Sequence, residues 1–469
     1  MSINGIEDGF MIFLGLLISV LLIVAAAVYS GTHKQKGNMG SVLLGGVILG
    51  TIIGGSCTIG TAQLAFLYGA CAWWFCLGCA IAVVFLALFF AIPFRRGEGR
   101  TIMGIISQEY GERAGMMASV MSASGTFISI LCQLIAATSV IAVIFPNVSM
   151  SWALLGSAAF MIIYVVFGGT RGAGLVGMVK LALVYSSMIL CGVLVLKMTD
   201  GFDGFVSMVN ALETPNGEDF LNVFGRGVSR EVGSCVAMII GITTTQIYAQ
   251  AICAARSDRV ARWGTIGSAL LIPIIGALGI LVGLYMRVHY PDIVPKTALT
   301  QFVLLQMPDL LSGVILGTLF VTVVGSGAGL ALGISTIINN DIVQVLGRKW
   351  VHAETRSRRI QILIVGVLMT AAFTCMMLET DVILNFAFLS MGLRGTVVFA
   401  PLCCALWLKN RIDARWALLA IVLGPFTEFI LPVFIEMPFN PLFAGVGMTF
   451  LIMGAGLIRG RRSPLTRSM

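Results

Sequence analysis

The sequence predicts an all-α integral membrane protein, and three observations support this prediction. Hydrophobic residues make up 58% of the 469-residue chain and charged residues only 11%, with a mean hydropathy of +0.99. Apolar runs of about 20 residues, the length of a helix that crosses a bilayer, recur along the whole chain. Lysine and arginine collect in alternate connections between these runs. This composition excludes a water-soluble globular protein.

The apolar runs predict about thirteen transmembrane helices. The first run follows Glu7 and Asp8 and not a basic stretch, so we interpret it as a retained helix and not as a signal peptide. The predicted spans are residues 10–29, 40–67, 71–94, 114–144, 150–167, 174–196, 232–253, 264–287, 310–343, 358–378, 382–407, 414–434 and 441–458.

The basic residues predict the orientation of the chain. Of the 29 lysines and arginines, 22 lie in one set of connections and the C-terminal tail, 5 lie in the other set, and Lys180 and Arg394 lie inside spans. The positive-inside rule therefore places the tail in the cytoplasm and the N-terminus outside, in a multi-pass protein of the cell (plasma or inner) membrane. This bias explains the net charge of +8, and because the charges are scattered we expect no nucleic-acid partner.

An enzyme is not predicted. The three histidines, His33, His289 and His352, lie in connections, so they cannot form a catalytic Ser/His/Asp or Cys/His group inside the membrane. No phosphate-binding P-loop is present, and the short segment after Arg462 argues against a one-chain receptor. A channel stays the less favoured alternative, because glycine-rich broken helices also suit an ion pathway.

Two spans contain polar interruptions that predict broken helices. The second span is interrupted by Gly54-Gly55-Ser56-Cys57-Thr58-Ile59-Gly60, and the seventh by residues 241–246. Such breaks are tolerated where protein or a cavity covers the freed backbone groups. They lie five helices apart, which predicts a ten-helix core of two inverted five-helix repeats with broken first and sixth core helices. The predicted parts are an extra helix (1–37), the first repeat (38–197), an external loop (198–231), the second repeat (232–408), and two last helices with the tail (409–469).

The ninth span has one small, polar face. Its members recur mostly at intervals of three and four residues and are Thr322, Gly325, Ser326, Gly329, Gly333 and Thr336. Small residues suit close helix packing, whereas hydroxyl and carbonyl oxygens also suit a small hard cation.

The motifs of the chain resemble those of the sodium:solute symporter family, which includes sodium-coupled proline, pantothenate, sialic acid and sugar transporters. Besides the break at Gly54, they are Ala72-Trp73-Trp74, Gly168-Gly169-Thr170-Arg171, Gln250, Ala254-Ala255-Arg256-Ser257-Asp258, Ala261-Arg262, Ser335-Thr336 and Asn340-Asp341. The resemblance implies the leucine-transporter-like fold. It also implies a sodium site formed by the carbonyls of Ser56 and Ile59 and by Thr322, Gly325 and Ser326.

The chain departs from this family pattern at three positions. Gly325 stands where the family usually has serine or threonine, Gly177 where it often has aspartate, and Lys180 where it often has glutamine. Lysine is costly inside a membrane, by about 2.5–3.5 kcal/mol on insertion scales, unless it reaches the headgroups or a partner. Lys180 therefore either extends its amine to the headgroups or replaces the cation and carries a proton, as a lysine on this helix does in related transporters.

Polar and aromatic residues of the core helices predict a neutral substrate pocket. They are Gln63, Phe66, Ser122, Ser124, Gln133, Thr243, Thr244, Gln246, Gln250, Asn385 and Phe388. For Arg394 we favour a structural ion pair or carbonyl contact over substrate binding, and for Glu428, outside the core, a structural or interfacial role.

These features predict a secondary active transporter that imports a small polar organic solute by alternating access. Sodium is the favoured coupling ion and the only cofactor expected; the alternative is a proton-coupled or sodium-independent transporter in which Lys180 replaces the cation. Membrane lipid and the solute are the expected partners, with no obligate protein partner. The half-helix N-termini and Lys180 favour a solute with a carboxylate, although the pattern does not identify it.

Overall fold

The computed structural model describes residues 5–32, 39–97, 101–168, 173–212, 219–339, 353–378 and 382–460. Within these ranges the protein is helical, with one isolated β-bridge between Met39 and Ala255. Nine of the described helices are long and apolar enough to cross a membrane, or ten if one bent pair is a single span. The predicted all-α membrane fold is confirmed, while the count of thirteen spans stays a prediction. The motif residues 169–171, Asn340 and Asp341 lie outside the described part.

The first half of the chain contains the extra helix and the predicted first repeat. Its α-helices are α1 (Gly5–Thr32), α2 (Ser41–Ile52), α3 (Thr61–Tyr68), α4 (Trp73–Phe85), α5 (Ala91–Arg96), α6 (Ile102–Tyr110), α7 (Glu112–Ile144), α8 (Met150–Gly168) and α9 (Ala173–Met198). Two π-helical segments, Ser56–Gly60 and Leu86–Phe90, interrupt the second and third predicted spans.

The second half begins after a short helix in the predicted external loop, α10 (Phe202–Asn210). It contains α11 (Val228–Thr243), α12 (Gln246–Cys253), α13 (Asp258–Ala269), α14 (Ile272–His289), α15 (Ala298–Gln306), α16 (Asp309–Ile337), α17 (Ala353–Met377) and α18 (Ile383–Trp407). The chain ends with α19 (Ala414–Phe429), α20 (Leu431–Phe434) and α21 (Pro441–Arg459).

Small residues bring the helices into close contact. The extra helix α1 packs along α16, and a Cβ added at Gly313 of α16 would lie 2.0 Å from the carbonyl oxygen of Ile12. A Cβ at Gly15 of α1 would lie 2.2 Å from the oxygen of Leu310. Because neither position tolerates a side chain, the two backbones approach as closely as glycine permits. Helix α16, which carries the small polar face, thus packs against both α1 and α7.

The two halves also meet at the end of the bundle that the sequence predicts to be cytoplasmic. The backbone N–H of Met39, just before α2, donates to Ala254 O at 2.7 Å, and the N–H of Arg256 donates to Met39 O at 3.0 Å. The start of the first predicted core helix is thereby joined to the end of the sixth.

Candidate functional site

The helix that the sequence predicts to be the first of the core is broken at the predicted place. Helix α2 ends at Ile52, and Ile53 adopts an extended conformation before the π-helical turn. The Gln133 side chain of α7 reaches the break, because its Oε1 accepts a hydrogen bond from Gly55 N at 3.1 Å. Thr58 Oγ1 donates to Gly54 O at 3.1 Å, and Cys57 Sγ donates to Ile52 O. Side chains thus satisfy backbone groups that the break removes from the helix ladder.

Glycine is required at this break because neighbouring helices touch it. A Cβ at Gly55 would lie 2.5 Å from Ala136 Cβ, and one at Gly54 would lie 2.9 Å from Ser326 Oγ. The small polar face of α16 therefore lies directly against the break. This juxtaposition is the one that the sequence predicted for an ion site.

Lys180 extends into this junction and not toward the headgroups. Its Nζ donates to Ser326 Oγ and to Gly50 O, each at 3.0 Å, and its side chain is buried. Gly50 is in the last turn of α2, where carbonyls have no partner within the helix. A Cβ at Gly50 would lie 3.2 Å from Gly177 Cα, so the backbones of α2 and α9 are close at this family aspartate position.

Among the other residues of the predicted sodium site, some oxygens have hydrogen-bond partners and one does not. Ser326 Oγ also donates to Thr322 O at 3.0 Å, and Ser56 O accepts from Thr61 Oγ1 at 3.2 Å. Thr322 Oγ1 is buried and has no partner among the described residues. Ile59 is buried, and a Cβ at Gly325 would lie 3.4 Å from the hydroxyl of Tyr164, a neighbour that the sequence did not suggest.

The predicted substrate residues divide into buried and exposed groups. Gln63 Oε1 accepts from Ile383 N at 2.9 Å, which links α3 to α18, and Phe66 lies 5.4 Å from the Arg287 guanidinium. Ser122 is buried, whereas Asn385 and Phe388 are half-buried. Gln63 therefore lies against the start of α18, Phe66 beside Arg287 of α14, and Phe388 beside Arg226, whose guanidinium is 5.7 Å from its ring.

Ser124 and Gln250 do not join the buried residues of the predicted substrate pocket. Both side chains are exposed, and Ser124 Oγ donates to Val120 O of its own helix. The periodic pattern placed them in core helices but did not determine which face each residue occupies.

The helix that the sequence predicts to be the sixth of the core is also broken at the predicted place. Helices α11 and α12 meet at an angle of 49°. The hydroxyls of Thr243 and Thr244 donate back to Ile239 O and Ile240 O, within the preceding helix. Gln246 Oε1 accepts from Ile102 N at 2.7 Å, while its buried Nε2 has no partner among the described residues.

Arg394 of α18 lies beside this second break. Its Nη1 donates to Thr245 Oγ1 at 3.1 Å, and its Nε donates to Ser390 O at 3.2 Å. The predicted carbonyl contact is therefore present, whereas no acidic side chain in the described ranges forms an ion pair with Arg394. Glu428 Oε2 accepts from Thr396 Oγ1 at 2.6 Å between α19 and α18, which fits a structural role.

A buried ion pair closes the end of the bundle that the sequence predicts to face outward. Arg226 donates to both carboxylate oxygens of Glu231, at 2.7 and 2.9 Å, and the side chains are only 3% and 0% exposed. The Arg226 guanidinium lies 5.7 Å from the ring centroid of Phe388 and 5.9 Å from that of Tyr68. Their spacing of five residues across Gly227 was the only sequence signal for this pair.

Backbone contacts hold the segment before this pair against α3 and α4. Gly69 has φ +80°, and a Cβ there would lie 2.1 Å from Phe220 O. Only glycine readily adopts this conformation, which lets Ala70 N donate to Phe220 O at 2.7 Å. Trp74 Nε1 donates to Val223 O at 2.7 Å. The outer segment is therefore docked over the exit of the first core helix.

The opposite end of the bundle is closed by an exposed cluster. Asp258, the first residue of α13, forms ion pairs with both Arg95 and Arg96 of α5. Arg95 Nε also donates to Ala255 O at 3.1 Å. In this structure both ends are thus bridged by polar contacts.

Comparisons with known proteins agree with this architecture. A model of the sodium:solute symporter family matches residues 35–424. No curated protein matches the chain. A Na⁺-coupled sialic acid symporter, solved in a substrate-bound outward-open state, has a TM-score of 0.76 and 17% identity, over 97% of this chain and 100% of that chain.

Two further solved structures share the fold. A nucleobase-cation-symport-1 family transporter in a closed conformation with bromovinylhydantoin has a TM-score of 0.60 and 11% identity, over 92% of this chain and 96% of that chain. A manganese transporter mutant from Eremococcus coleocola has a TM-score of 0.51 and 14% identity, over 89% and 94%. The predicted leucine-transporter-like fold is supported by these similarities.

Proposed function

Since this chain belongs to the sodium:solute symporter family and is a cation-coupled membrane symporter, we propose that it imports a small polar organic solute by alternating access. We further propose that its coupling ion is a proton carried by Lys180. The observation that carries this proposal is the Lys180 amine, which donates to Ser326 Oγ and Gly50 O at 3.0 Å each. The amine lies among groups that the family resemblance assigns to sodium.

A protonated Lys180 performs the task of a bound cation. It joins α9 to the end of α2 and to α16, and its charge strengthens both hydrogen bonds relative to those of a neutral amine. When the proton leaves, both contacts weaken, and α2 and α16 are freer to separate. Coupling is reciprocal, so a solute that favours the joined state must also tighten proton binding by the same factor.

The membrane potential supplies energy for this cycle. One elementary charge moved inward gains about 2.3 kcal/mol per 100 mV before any concentration gradient is counted. A lysine that carries a proton in with the solute uses this energy without a separate metal ion.

Sodium coupling is the second candidate, and one observation favours it. Thr322 Oγ1 is buried without a partner among the described residues, so it is an oxygen that a cation can use. Ser56 O, Ile59 O and Ser326 Oγ are further oxygens of the kind that a hard cation takes as ligands. An ammonium group already bonded to Ser326 opposes that cation electrostatically, so sodium binding requires Lys180 to move or to be neutral.

Uptake into proteoliposomes tests the proposal. Purified protein is given a mixture of labelled metabolites under an imposed sodium gradient or an imposed proton gradient. Lys180→Gln is compared with Lys197→Gln, because Lys197 is an exposed lysine at the other end of the same helix. We expect proton-driven uptake that Lys180→Gln abolishes and Lys197→Gln retains. Uptake that follows sodium and is unchanged in Lys180→Gln contradicts the role of Lys180.

A further inference from the structure

One face of α13 is exposed, and its residues change from basic to apolar along the chain. Arg259, Trp263, Gly267 and Leu270, the residue after the helix, follow one another at intervals of four, four and three residues, and all are exposed. Trp263 is 61% exposed and Leu270 74%, while the rest of the helix packs against α2 and α4. A stripe that runs from arginine through tryptophan to leucine matches the order of headgroup, interface and acyl chain in one leaflet of a bilayer.

Gly267 leaves a gap in this exposed face. A Cβ added there would meet no other atom within 4 Å, whereas a Cβ at Gly264 on the packed face would lie 3.0 Å from Ser41 O. Trp263 precedes Gly267 by four residues and Leu270 follows it by three, so two large exposed side chains flank the position. A shallow apolar groove of this kind suits an extended hydrocarbon chain.

Arg262 lies beside this face, and most of its guanidinium donors are unused in the described part of the chain. Its Nη2 donates to Leu88 O at 3.3 Å, which is its one hydrogen bond within the described ranges. Leu88 is in the π-helical segment Leu86–Phe90, and Pro93 has no N–H to donate to the carbonyl five residues before it. The buried Nε of Arg262 has no acceptor among the described residues. The protein therefore anchors this side chain without supplying an acceptor for the rest of the fork.

The surroundings of Arg262 are positively charged. Arg259, one turn earlier, is exposed and forms no ion pair within the described ranges. The carboxylate of Asp258, at the start of the same helix, is already shared by Arg95 and Arg96. These four arginines and one aspartate carry a net charge of +3. An anionic group beside Arg262 is therefore favoured.

We propose that Arg262 and Arg259 bind the phosphate of an anionic phospholipid, with one acyl chain in the groove at Gly267. The lipid belongs to the leaflet on the side that the sequence predicts to be cytoplasmic. The predicted span begins at residue 264, so Arg262 lies at headgroup depth, and Gly267 lies about 7.5 Å further along the helix, where an acyl chain begins.

The chemistry of the two parts fits one lipid molecule. A guanidinium fork binds phosphate oxygens in pairs, with charge-assisted hydrogen bonds. An arginine that only extends to water needs neither an anchor on a backbone carbonyl nor a groove one turn deeper. This inference does not depend on which solute or coupling ion the chain transports.

Native mass spectrometry of the full-length protein in detergent, titrated with lipid, tests this site. The probes are phosphatidylglycerol and phosphatidylcholine with identical acyl chains, and inorganic phosphate is the competitor. Arg262→Gln removes the guanidinium, and Gly267→Leu fills the groove at a position where a Cβ meets no neighbour. The controls are Arg411→Gln, at an exposed arginine between α18 and α19, and Gly447→Leu in α21, where a Cβ also meets nothing within 4 Å.

We expect the wild type to prefer phosphatidylglycerol to phosphatidylcholine, and each of Arg262→Gln and Gly267→Leu to bind phosphatidylglycerol about tenfold more weakly. Both control variants should bind it as the wild type does, and inorganic phosphate should not displace it, because phosphate cannot occupy the groove. The proposal is wrong if the wild type binds the two lipids equally well, or if a folded site variant binds phosphatidylglycerol as tightly as the wild type. Displacement by inorganic phosphate would also overturn it, since the site would then bind a free anion. A melting curve of each lipid-free variant identifies one that does not fold, and the other site variant then decides.

Discussion

At the scale of single residues, Lys180 and Gly325 depart from the family pattern at the contact between α2, α9 and α16, and both change what this contact can bind. Lys180 adds an amine 3.0 Å from Ser326 Oγ, and Gly325 removes a hydroxyl from the same face of α16. Both changes act in the same direction, because one adds positive charge and the other removes a cation ligand. They are consistent with one adaptation in which the protein itself supplies the cation.

If this interpretation holds, restoring the family residues restores sodium dependence. The double variant Lys180→Gln/Gly325→Ser removes the amine and adds a hydroxyl, and there is space because a Cβ at Gly325 meets Tyr164 only at 3.4 Å, an ordinary contact. We expect sodium to raise its melting temperature in detergent, with no such effect on the wild type, because ligand binding to the folded state stabilises it.

The matched control for this experiment is Lys180→Gln/Gly329→Ser. Gly329 lies one turn further along α16, and a Cβ there meets nothing within 4 Å. A sodium response of equal size in both double variants would contradict the assignment of Gly325 to the site.

Glu428 gives a second prediction at the residue scale. Thr396 Oγ1 donates to its carboxyl at 2.6 Å, and no other hydrogen bond to this carboxyl is made within the described ranges. Thr396→Val leaves the buried carboxyl without its donor, and we expect the free energy of unfolding to fall by about 1–3 kcal/mol. Thermal unfolding in detergent provides the measurement.

Thr449→Val is the control for that variant. Thr449 of α21 is also buried against α19, near Thr396, but its hydroxyl donates only to Val446 O of its own helix. The structural role of the Glu428 contact is disproved if Thr396→Val is no more destabilising than Thr449→Val.

At the scale of elements, the sequence predicted the breaks better than the contacts that cover them. Gly54-Gly55 and the threonines at 243–245 are local signals, since glycine and hydroxyl side chains in an apolar run already indicate an interrupted helix. The acceptor Gly50 O was not predictable, because which carbonyl faces Lys180 depends on how α9 packs against α2. For the same reason, periodicity placed Ser124 and Gln250 on the right helices but did not determine their exposure.

The closing pair Arg226–Glu231 supplies a prediction for the outer segment. Breaking a buried ion pair by removing one partner costs about 3–5 kcal/mol, because the remaining charge stays buried. Arg226→Gln should therefore loosen residues 219–231 from α3 and α4. Cys71 is a native reporter, since it is buried and lies beneath the segment, where a Cβ at Gly225 would be 3.9 Å from Cys71 Cβ.

We expect Cys71 to react faster with a maleimide in Arg226→Gln than in the wild type, as measured by peptide mass spectrometry. Arg230→Gln is the control, because Arg230 is exposed and lies four residues after Arg226, in the first turn of α11. Equal alkylation rates in the wild type and both variants would show that the ion pair does not hold this end closed.

At the scale of the whole molecule, the two closures lie at opposite ends of one bundle. The predicted outer end is held by a buried pair and by Trp74, Ala70 and the segment they contact. The predicted inner end is held by Asp258 between Arg95 and Arg96, in contact with solvent. Alternating access requires that opening one end favours closure of the other, because a state open at both ends would dissipate the gradient.

This requirement gives the last prediction, in which weakening the inner end protects the outer one. Asp258→Asn removes the carboxylate shared by Arg95 and Arg96, so we expect faster alkylation of Cys253, the last residue of α12. In the same sample Cys71 should react more slowly than in the wild type, while Arg226→Gln should give the opposite pair of changes. The effect of Asp258→Asn should be the smaller one, because its ion pairs are exposed and screened by solvent.

Detergent exposes both ends to the reagent, so each cysteine reports its own end independently of membrane sidedness. If each variant changes only its own cysteine, the two ends move independently, and the alternating-access mechanism proposed for this chain is contradicted.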